Sequence, residues 1–391
     1  MNKLYFKKTK YIIIIYLLFY NINILSYFKI FFTNISYQNE IKGIEKYLKL
    51  CKDLNIIKKF KNFNYPKISK MSAVFNRERF LLRFLNSIQY QNFNNIEIIL
   101  IDDCSIDNSI NIINEYKKED ERIILIKNKK NKGTFIARNL GALYAKGKYV
   151  ILPDPDDIIS KNILKFCYNY AEKYKYEVIR FTSYRGNPQT RYNKLIQTLG
   201  NKAVYQPELS SYIFYGYREY VMVDYSINNK FIKKEVYIET LNSLNKFFLN
   251  IYMTYMEDQV LNYILHRTAK SLYFSKKIGF FYLQNTISIT QNIDKISLLR
   301  NKFIFIYFKL VFEYSKKKKY EKDMANILLM NFYRGININL IVKSKSKDDI
   351  IFFYNIINMY LSNEYITNEN KYILNNLKLK MRKNLKIYKI I

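Results

Sequence analysis

Histidine and cysteine are scarce in this 391-residue sequence, which has one histidine and three cysteines. With His266 alone, neither a histidine-based catalytic triad nor a metal site of several histidines is expected. We interpret His266 as a hydrogen-bonded polar residue near a helix end. The cysteines form no CxxC pair, so neither a disulfide framework nor a zinc site is indicated.

Two phosphate-binding motifs are also missing. No GxGxxG follows the first predicted strand, and no GxxxxGK[ST] is present anywhere. A dinucleotide-binding Rossmann site and a P-loop are therefore unsupported.

Basic residues outnumber acidic residues: 65 Lys and Arg, compared with 32 Asp and Glu, give a net charge of +33. The lysines are spread along the chain, and the one tight run, at 316–319, has no zinc-finger or RNA-binding signature beside it. We interpret the excess as solvated surface charge and expect no nucleic-acid partner. A basic nucleic-acid-binding protein is the alternative, and it predicts affinity that falls steeply with salt.

The N-terminal segment combines basic residues with an apolar run. Lysines occur through position 10, the run begins at Tyr11, and no further charge appears until Lys29. This length can span a bilayer with the basic flank in the cytosol. We predict a signal anchor at 1–32 and a stem at 33–65 that carries a glycosylation sequon at Asn34, with a cleaved signal peptide as the alternative. The expected location is therefore the ER or Golgi, single-pass, with the catalytic domain in the lumen.

From position 67 onward, short apolar runs alternate with stretches of helical spacing. Strands are predicted at 68–75, 96–101, 122–127 and 149–152, and helices at 79–90, 107–118 and 134–145. Strands that alternate with helices predict right-handed βαβ units, so we expect an α/β fold with a mainly parallel central sheet.

Two of these strands end in acids, at Asp102-Asp103 and at Asp154-Pro155-Asp156-Asp157. In a parallel sheet both carboxyl ends lie at one edge, where α/β proteins bind ligands. Carboxylates suit a hard divalent cation, and such a cation suits a diphosphate, so a sugar nucleotide with Mn²⁺ or Mg²⁺ fits this edge. The alternative for 154–157 is an ordinary surface turn.

Several segments in order resemble a family 2 glycosyltransferase over about residues 66–182. They are Ser72-Ala73-Val74-Phe75-Asn76-Arg77-Glu78, Ile99 to Asp107, Asn131-Lys132-Gly133-Thr134 with Ala137-Arg138-Asn139, Ala145 to Tyr149, and the Asp-x-Asp-Asp at 154–157. The resemblance implies a GT-A domain, placed at 66–290, that transfers a sugar from a nucleotide donor with inversion. A hexosyltransferase is the expected type.

The resemblance also implies roles for single residues. Asp103 would contact the base, beside the aromatic Phe75 and Asn76, and Arg138 would lie near the donor. Asp156 is the expected metal ligand, and Asp154 is expected to bind ribose or metal. The sequence departs from the family pattern at Ser72, which replaces a proline, at Lys70 inside the first strand, and at Pro153 before the acids.

The acceptor half matches two shorter elements. Asn229 to Tyr237 resembles the family's Asn-Lys-aliphatic segment, and Tyr255 to Leu261 resembles its Glu-Asp element. The resemblance makes Asp258 the general base that takes a proton from the acceptor hydroxyl. An acidic helix start is the alternative for Glu257 and Asp258.

Beyond 291 the resemblance ends, and a helical C-terminal region is expected at 291–391. The expected partners are a UDP- or GDP-sugar donor, a glycan, lipid or protein acceptor, and the membrane through the anchor. A catalytically inactive protein that still binds nucleotide sugars is the alternative function.

Overall fold

The computed structural model describes residues 64–89, 91–186, 194–195, 201–211, 226–244, 251–255, 257–283 and 367–387, with isolated positions between 306 and 361. The predicted anchor and stem lie outside these residues. Most of the predicted helical C-terminal region also lies outside them.

The N-terminal half follows the predicted alternation closely. Its elements are β1 (Ile68–Val74), α1 (Glu78–Gln89), β2 (Ile96–Asp102), α2 (Ser109–Glu119), β3 (Ile123–Lys127), α3 (Thr134–Tyr144) and β4 (Tyr149–Ile151). The short strand β5 (Ile158–Ile159) and α4 (Ile163–Tyr174) come next.

In the described part of the second half, strands outnumber helices. Its elements are β6 (Val178–Gly186), β7 (Lys194–Leu195), β8 (Lys202–Tyr205), a 3-10 turn (Glu208–Ser211), β9 (Lys230–Lys233), α5 (Lys234–Ser243), α6 (Glu257–Thr268), β10 (Ser271–Leu283) and α7 (Asn368–Ile387). Among the helices of the described ranges, none is both long and apolar enough to cross a membrane.

Helices α1 and α2 begin side by side because their first turns exchange hydrogen bonds. The Asp107 carboxylate accepts from the backbone N–H of Glu78 at 3.0 Å, and the Glu78 carboxylate accepts from the N–H of Asn108 at 3.0 Å. Each acid thus satisfies an N–H group that a helix start leaves without a partner. The exchange fixes both helices beside the carboxyl ends of β1 and β2.

The strands form one mixed sheet in the order β3-β2-β1-β4-β9-β6-β10-β5, with β7 on β6 and β8 on β10. Parallel pairing joins β3, β2, β1 and β4, and it also joins β6 to β10. Strand β9 runs antiparallel to both β4 and β6, so the prediction of a mainly parallel sheet is wrong. Strand β9 inserts between the two parallel groups and runs opposite to the neighbouring strand of each.

Apolar side chains pack on both faces of the sheet. Strand β2 is buried at all seven positions; Ile99 and Ile101 face the layer of α3, α5 and α6, whereas Ile98 and Leu100 face the layer of α1, α2 and α4. Burial on both faces explains why this strand has a continuous apolar run rather than an alternating pattern. The result is a three-layer α/β/α domain.

Lys70 lies in the middle of β1, where its side chain is 1% exposed. Its Nζ has no hydrogen-bond partner in the described part of the chain and lies 5.5 Å from the centre of the Phe84 ring. Burial, followed by the nearby Arg122, lowers the pKa of this amine well below its ordinary value. The first strand therefore forms despite a lysine that the core does not accommodate well.

We expect Lys70→Met to stabilise the protein at pH 7, by about 1–3 kcal/mol, because it removes a buried amine without an acceptor. The folded-state pKa is depressed, so only the unfolded chain gains the proton between the two pKa values. The advantage of the variant should therefore shrink as the pH rises towards 10.5, the ordinary pKa of lysine. Urea unfolding at both pH values measures this.

Lys148→Met is the matched control, because that lysine is about half exposed and pairs with Glu172 at the surface. It should change the free energy of unfolding by less than about 1 kcal/mol. A loss of stability in Lys70→Met would mean that the amine has a stabilising role.

Candidate active site

Three carboxylates surround the guanidinium of Arg138, a residue on α3 that is 3% exposed. One nitrogen donates to Asp154, which follows β4, and the other donates to Asp258 and, at 3.3 Å, to Glu257 at the start of α6. The second oxygen of Asp154 accepts from the side-chain amide of Asn228 at 2.9 Å. Asp154, a predicted donor-binding residue, and Asp258, the predicted base, therefore bind the same guanidinium.

The electrostatics of this cluster follow from burial and crowding. Burial, and then the negative charge of Asp258, raise the pKa of Glu257 to about 8. The pKa of Asp258 is also raised, first by burial; Arg138 opposes that shift and Asp154 adds to it. Glu257 is then mostly protonated at neutral pH, while Arg138 balances the charges of Asp154 and Asp258.

The two carboxylate oxygens of Asp258 differ in how strongly they are hydrogen-bonded. Its Oδ1 accepts from Arg138, whereas its Oδ2 accepts, among the residues that the structure describes, from the backbone N–H of Ile227 alone, at 3.4 Å. The side chain is 22% exposed, so a ligand can reach it. A carboxylate with one held oxygen and one accessible oxygen has the geometry of an oriented base.

Asp156 is not a partner of Arg138. Its pKa is raised by burial and by the negative charge of Asp154, while Arg77 and Arg83 oppose the shift. Two carboxylates that repel each other are a suitable donor set for a hard cation. Among the described residues, no group of three or more potential metal-ligating side chains occurs, so a cation here would take its other ligands from a diphosphate and water.

Asp103 holds the loop that leads into α3. Its Oδ1 accepts from the side chain of Asn128 at 2.8 Å and from the N–H of Lys132 at 2.9 Å, and its Oδ2 accepts from the N–H of Gly133 at 2.8 Å. Gly133 has φ of +85°, a conformation that favours glycine. A carboxylate has about four acceptor positions, so one remains for a ligand.

Phe75 and Asn76 follow β1 at the same edge. Phe75 is 40% exposed. The carbonyl of Val74, the residue before Phe75, accepts the N–H of Asp103. Asn76, at φ of 52°, accepts the N–H of Ile106 at 2.9 Å and donates its own N–H to Ser105. Asn76 thus fixes a turn, while Phe75 leaves a ring face open beside Asp103.

Two departures from the family pattern contact each other. The Ser72 hydroxyl donates to the carbonyl of Pro153 at 2.8 Å and so ties β1 to the turn that carries Asp154. The acids after β4 keep a fixed position at the edge of the sheet.

The predicted site residues fall into two adjoining groups. Arg138 contacts Asp154 and Asp258 directly. Asp103 binds the N–H of Gly133 at the start of α3, and Gly133 lies about 7 Å before Arg138 along the helix axis. Asn228 and Asn128 were not predicted. Asn228 precedes the recognised Asn-Lys segment, and no local pattern indicates its contact with Asp154.

Known proteins resemble this chain over part of its length. Residues 71–241 match the family described as Glycosyl transferase family 2. Glycosyltransferase GlyG of Streptococcus pneumoniae is 32% identical over 29% of this chain and 37% of its own length. Poly(ribitol-phosphate) beta-glucosyltransferase of Bacillus spizizenii is 26% identical over 56% of this chain and 32% of its own length. The chain thus matches well under half of either relative.

Among solved structures, S. aureus TarS 1-349 in complex with UDP-GlcNAc superposes with a TM-score of 0.60 at 16% identity. The alignment covers 81% of this chain and 89% of that one, and it supports the GT-A-like fold. The predicted location, anchored with a lumenal domain in the ER or Golgi, is wrong: these relatives are bacterial proteins, and bacteria have neither compartment.

We expect Arg138→Met to lower the free energy of unfolding by about 3–5 kcal/mol near pH 8, because it leaves buried carboxylates without their cation. In the variant the folded-state pKa values of these carboxyls rise further above their unfolded values. Stability that such groups contribute is present at low pH and is lost as the pH rises. The deficit should therefore be smaller at pH 5 than at pH 8, as measured by urea unfolding.

Lys118→Met serves as the control, because it breaks an exposed pair with Glu115. Its effect should stay below about 1 kcal/mol at either pH. A deficit in Arg138→Met that did not change with pH would argue against charge balance as the cause.

Proposed function

Because residues 71–241 belong to glycosyl transferase family 2, we propose that this chain transfers a sugar from a nucleoside-diphosphate donor to an acceptor hydroxyl. The bond between the anomeric carbon and the diphosphate breaks as the acceptor oxygen bonds to that carbon from the opposite side. The transfer therefore inverts the anomeric configuration. The proton of the hydroxyl goes to a carboxylate of the protein.

The observation that carries the proposal is that one guanidinium, that of Arg138, binds carboxylates from two distant parts of the chain. Arg138 contacts Asp154, from the donor-side acids, and Asp258, from the start of α6. Two acid clusters far apart in sequence are therefore within reach of one substrate. A sugar held between them would have its leaving group near Asp154 and Asp156 and its attacking hydroxyl near Asp258.

Asp258 is the proposed general base. Its raised pKa makes it a stronger base than an ordinary aspartate, and Arg138 keeps it ionised and oriented. Its Oδ2 is the oxygen available to the acceptor hydroxyl. The neighbouring Glu257 stays protonated near neutral pH and so does not compete for the proton.

Asp156, with Asp154 beside it, would hold a divalent cation, Mn²⁺ or Mg²⁺. When bound, such a cation balances the charge that develops on the departing diphosphate. The oxygens of Asp154 accept from Arg138 and Asn228, so Asp156 is the stronger candidate for the cation and Asp154 for the ribose.

The donor is proposed to be a UDP-sugar, because the structurally similar TarS is described in complex with UDP and with UDP-GlcNAc. A GDP-sugar is the alternative. The acceptor is proposed to be a glycan or polyol-phosphate hydroxyl, in line with the poly(ribitol-phosphate) relative. A hexose is the proposed group transferred.

The test is an assay of UDP-sugar turnover by the full chain, measured with and without Mn²⁺. We expect Asp258→Asn to lower turnover at least about 100-fold, because the base can no longer take the proton, and to leave UDP affinity almost unchanged. We expect Asp156→Ala to lower turnover and to weaken the dependence on Mn²⁺. Glu115→Gln, an exposed acid on α2, is the control.

Three outcomes separate the candidate functions. Parent-like turnover in both variants would sink the catalytic proposal. UDP binding by the parent without turnover of any UDP- or GDP-sugar would indicate the nucleotide-sugar-binding alternative. Binding of DNA or RNA that falls steeply between two salt concentrations, without UDP binding, would indicate the nucleic-acid alternative.

A further inference from the structure

Tyr252 lies in the short stretch that precedes α6. None of the sequence motifs that predicted site residues includes it. Its ring is 49% exposed, whereas the next residue, Met253, is 1% exposed and packed in the core. Met253 also accepts the N–H of Phe135, in the first turn of α3, at 3.1 Å. The buried neighbour thus fixes the backbone, and the Tyr252 ring is presented at the surface from a held position.

The Tyr252 ring lies over Gly133. A Cβ on Gly133 would come 3.2 Å from Cδ2 of Tyr252 and 3.1 Å from the backbone N and O of Met253. Gly133 is the residue whose N–H binds the Asp103 carboxylate at 2.8 Å. The stretch before α6 therefore packs on the loop that Asp103 holds, and it places an aromatic ring beside that acid.

A second exposed aromatic residue, Phe75, follows the strand that Asp103 contacts through its backbone. Phe75 follows β1 directly after Val74, whose carbonyl accepts the N–H of Asp103 at 2.7 Å. The contacts of Asp103 thus lead to two exposed aromatic residues: Phe75, next to Val74, and Tyr252, which packs on Gly133. The carboxylate of Asp103 still has an acceptor position for a ligand.

We infer that Tyr252 forms the second wall of the nucleobase subsite, with its ring stacked on the base that Phe75 and Asp103 also contact. This inference rests on the proposed function. Flat rings bind the face of any base, whereas a carboxylate accepts only from a base with an N–H at the matching edge. Tyr252 then contributes affinity for the nucleotide, and Asp103 contributes the choice of base.

The experiment compares the affinities of the full chain for UDP and for inorganic pyrophosphate. Tyr252→Leu should weaken UDP binding about tenfold or more, because a stacking surface is lost. Pyrophosphate has no base, so its affinity should stay within about twofold of the parent. Tyr252→Phe keeps the ring and should bind UDP like the parent.

Tyr174→Leu is the matched control, because Tyr174 is 48% exposed but lies at the end of α4, next to Tyr176. That position is near the start of β6, at the edge opposite the acids. UDP affinity should be unchanged in this variant. The midpoint of urea unfolding should be close to that of the parent in both leucine variants, because both side chains are exposed.

Parent-like UDP affinity in Tyr252→Leu would overturn the inference. It would also fail if UDP and pyrophosphate binding weakened equally, since that pattern indicates a structural defect. A raised KM for the acceptor with unchanged UDP affinity would place the ring on the acceptor side instead. If the parent bound no nucleoside diphosphate, the proposed function itself would fall, and this inference with it.

Discussion

The charge balance around Arg138 is the constraint on which the site depends. Three carboxylates approach one buried guanidinium, and two of them belong to the segment where α6 begins. Without that cation, repulsion between the acids would separate α6 from the end of β4. The same ion pairs therefore hold the two halves of the domain together and orient the groups proposed to react.

A second set of anchors positions the backbone around this cluster. Asp103 holds the loop before α3, and Glu97 accepts the N–H groups of Lys146 and Gly147 at the turn after it. Two buried acids, Glu97 in β2 and Asp103 directly after it, thus fix both ends of the helix that carries Arg138. Backbone donors bound to buried carboxylates make such turns rigid, because each unsatisfied group would cost free energy in the core.

The sequence predicts the first half of the fold well and the second half poorly, for physical reasons. Strands β2 and β4 contain apolar runs because both of their faces are buried, and Arg138 and Asp258 stand in recognisable motifs. Strand β9 is only four residues long with a lysine at each end, and long-range pairing with β4 and β6 determines its direction. The contact between Arg138 and Asp258 is equally long-range, so no local pattern indicates it.

The dense hydrogen bonding of Asp103 affects how donor preference can change in evolution or in the laboratory. A residue without a side-chain oxygen at this position releases three loop donors at once, so the start of α3 would move before a new nucleotide contact could form. The exposed rings of Phe75 and Tyr252 accept none of these hydrogen bonds. Substitutions of these rings should therefore change the affinity for the nucleotide, while the choice of base stays with the acid.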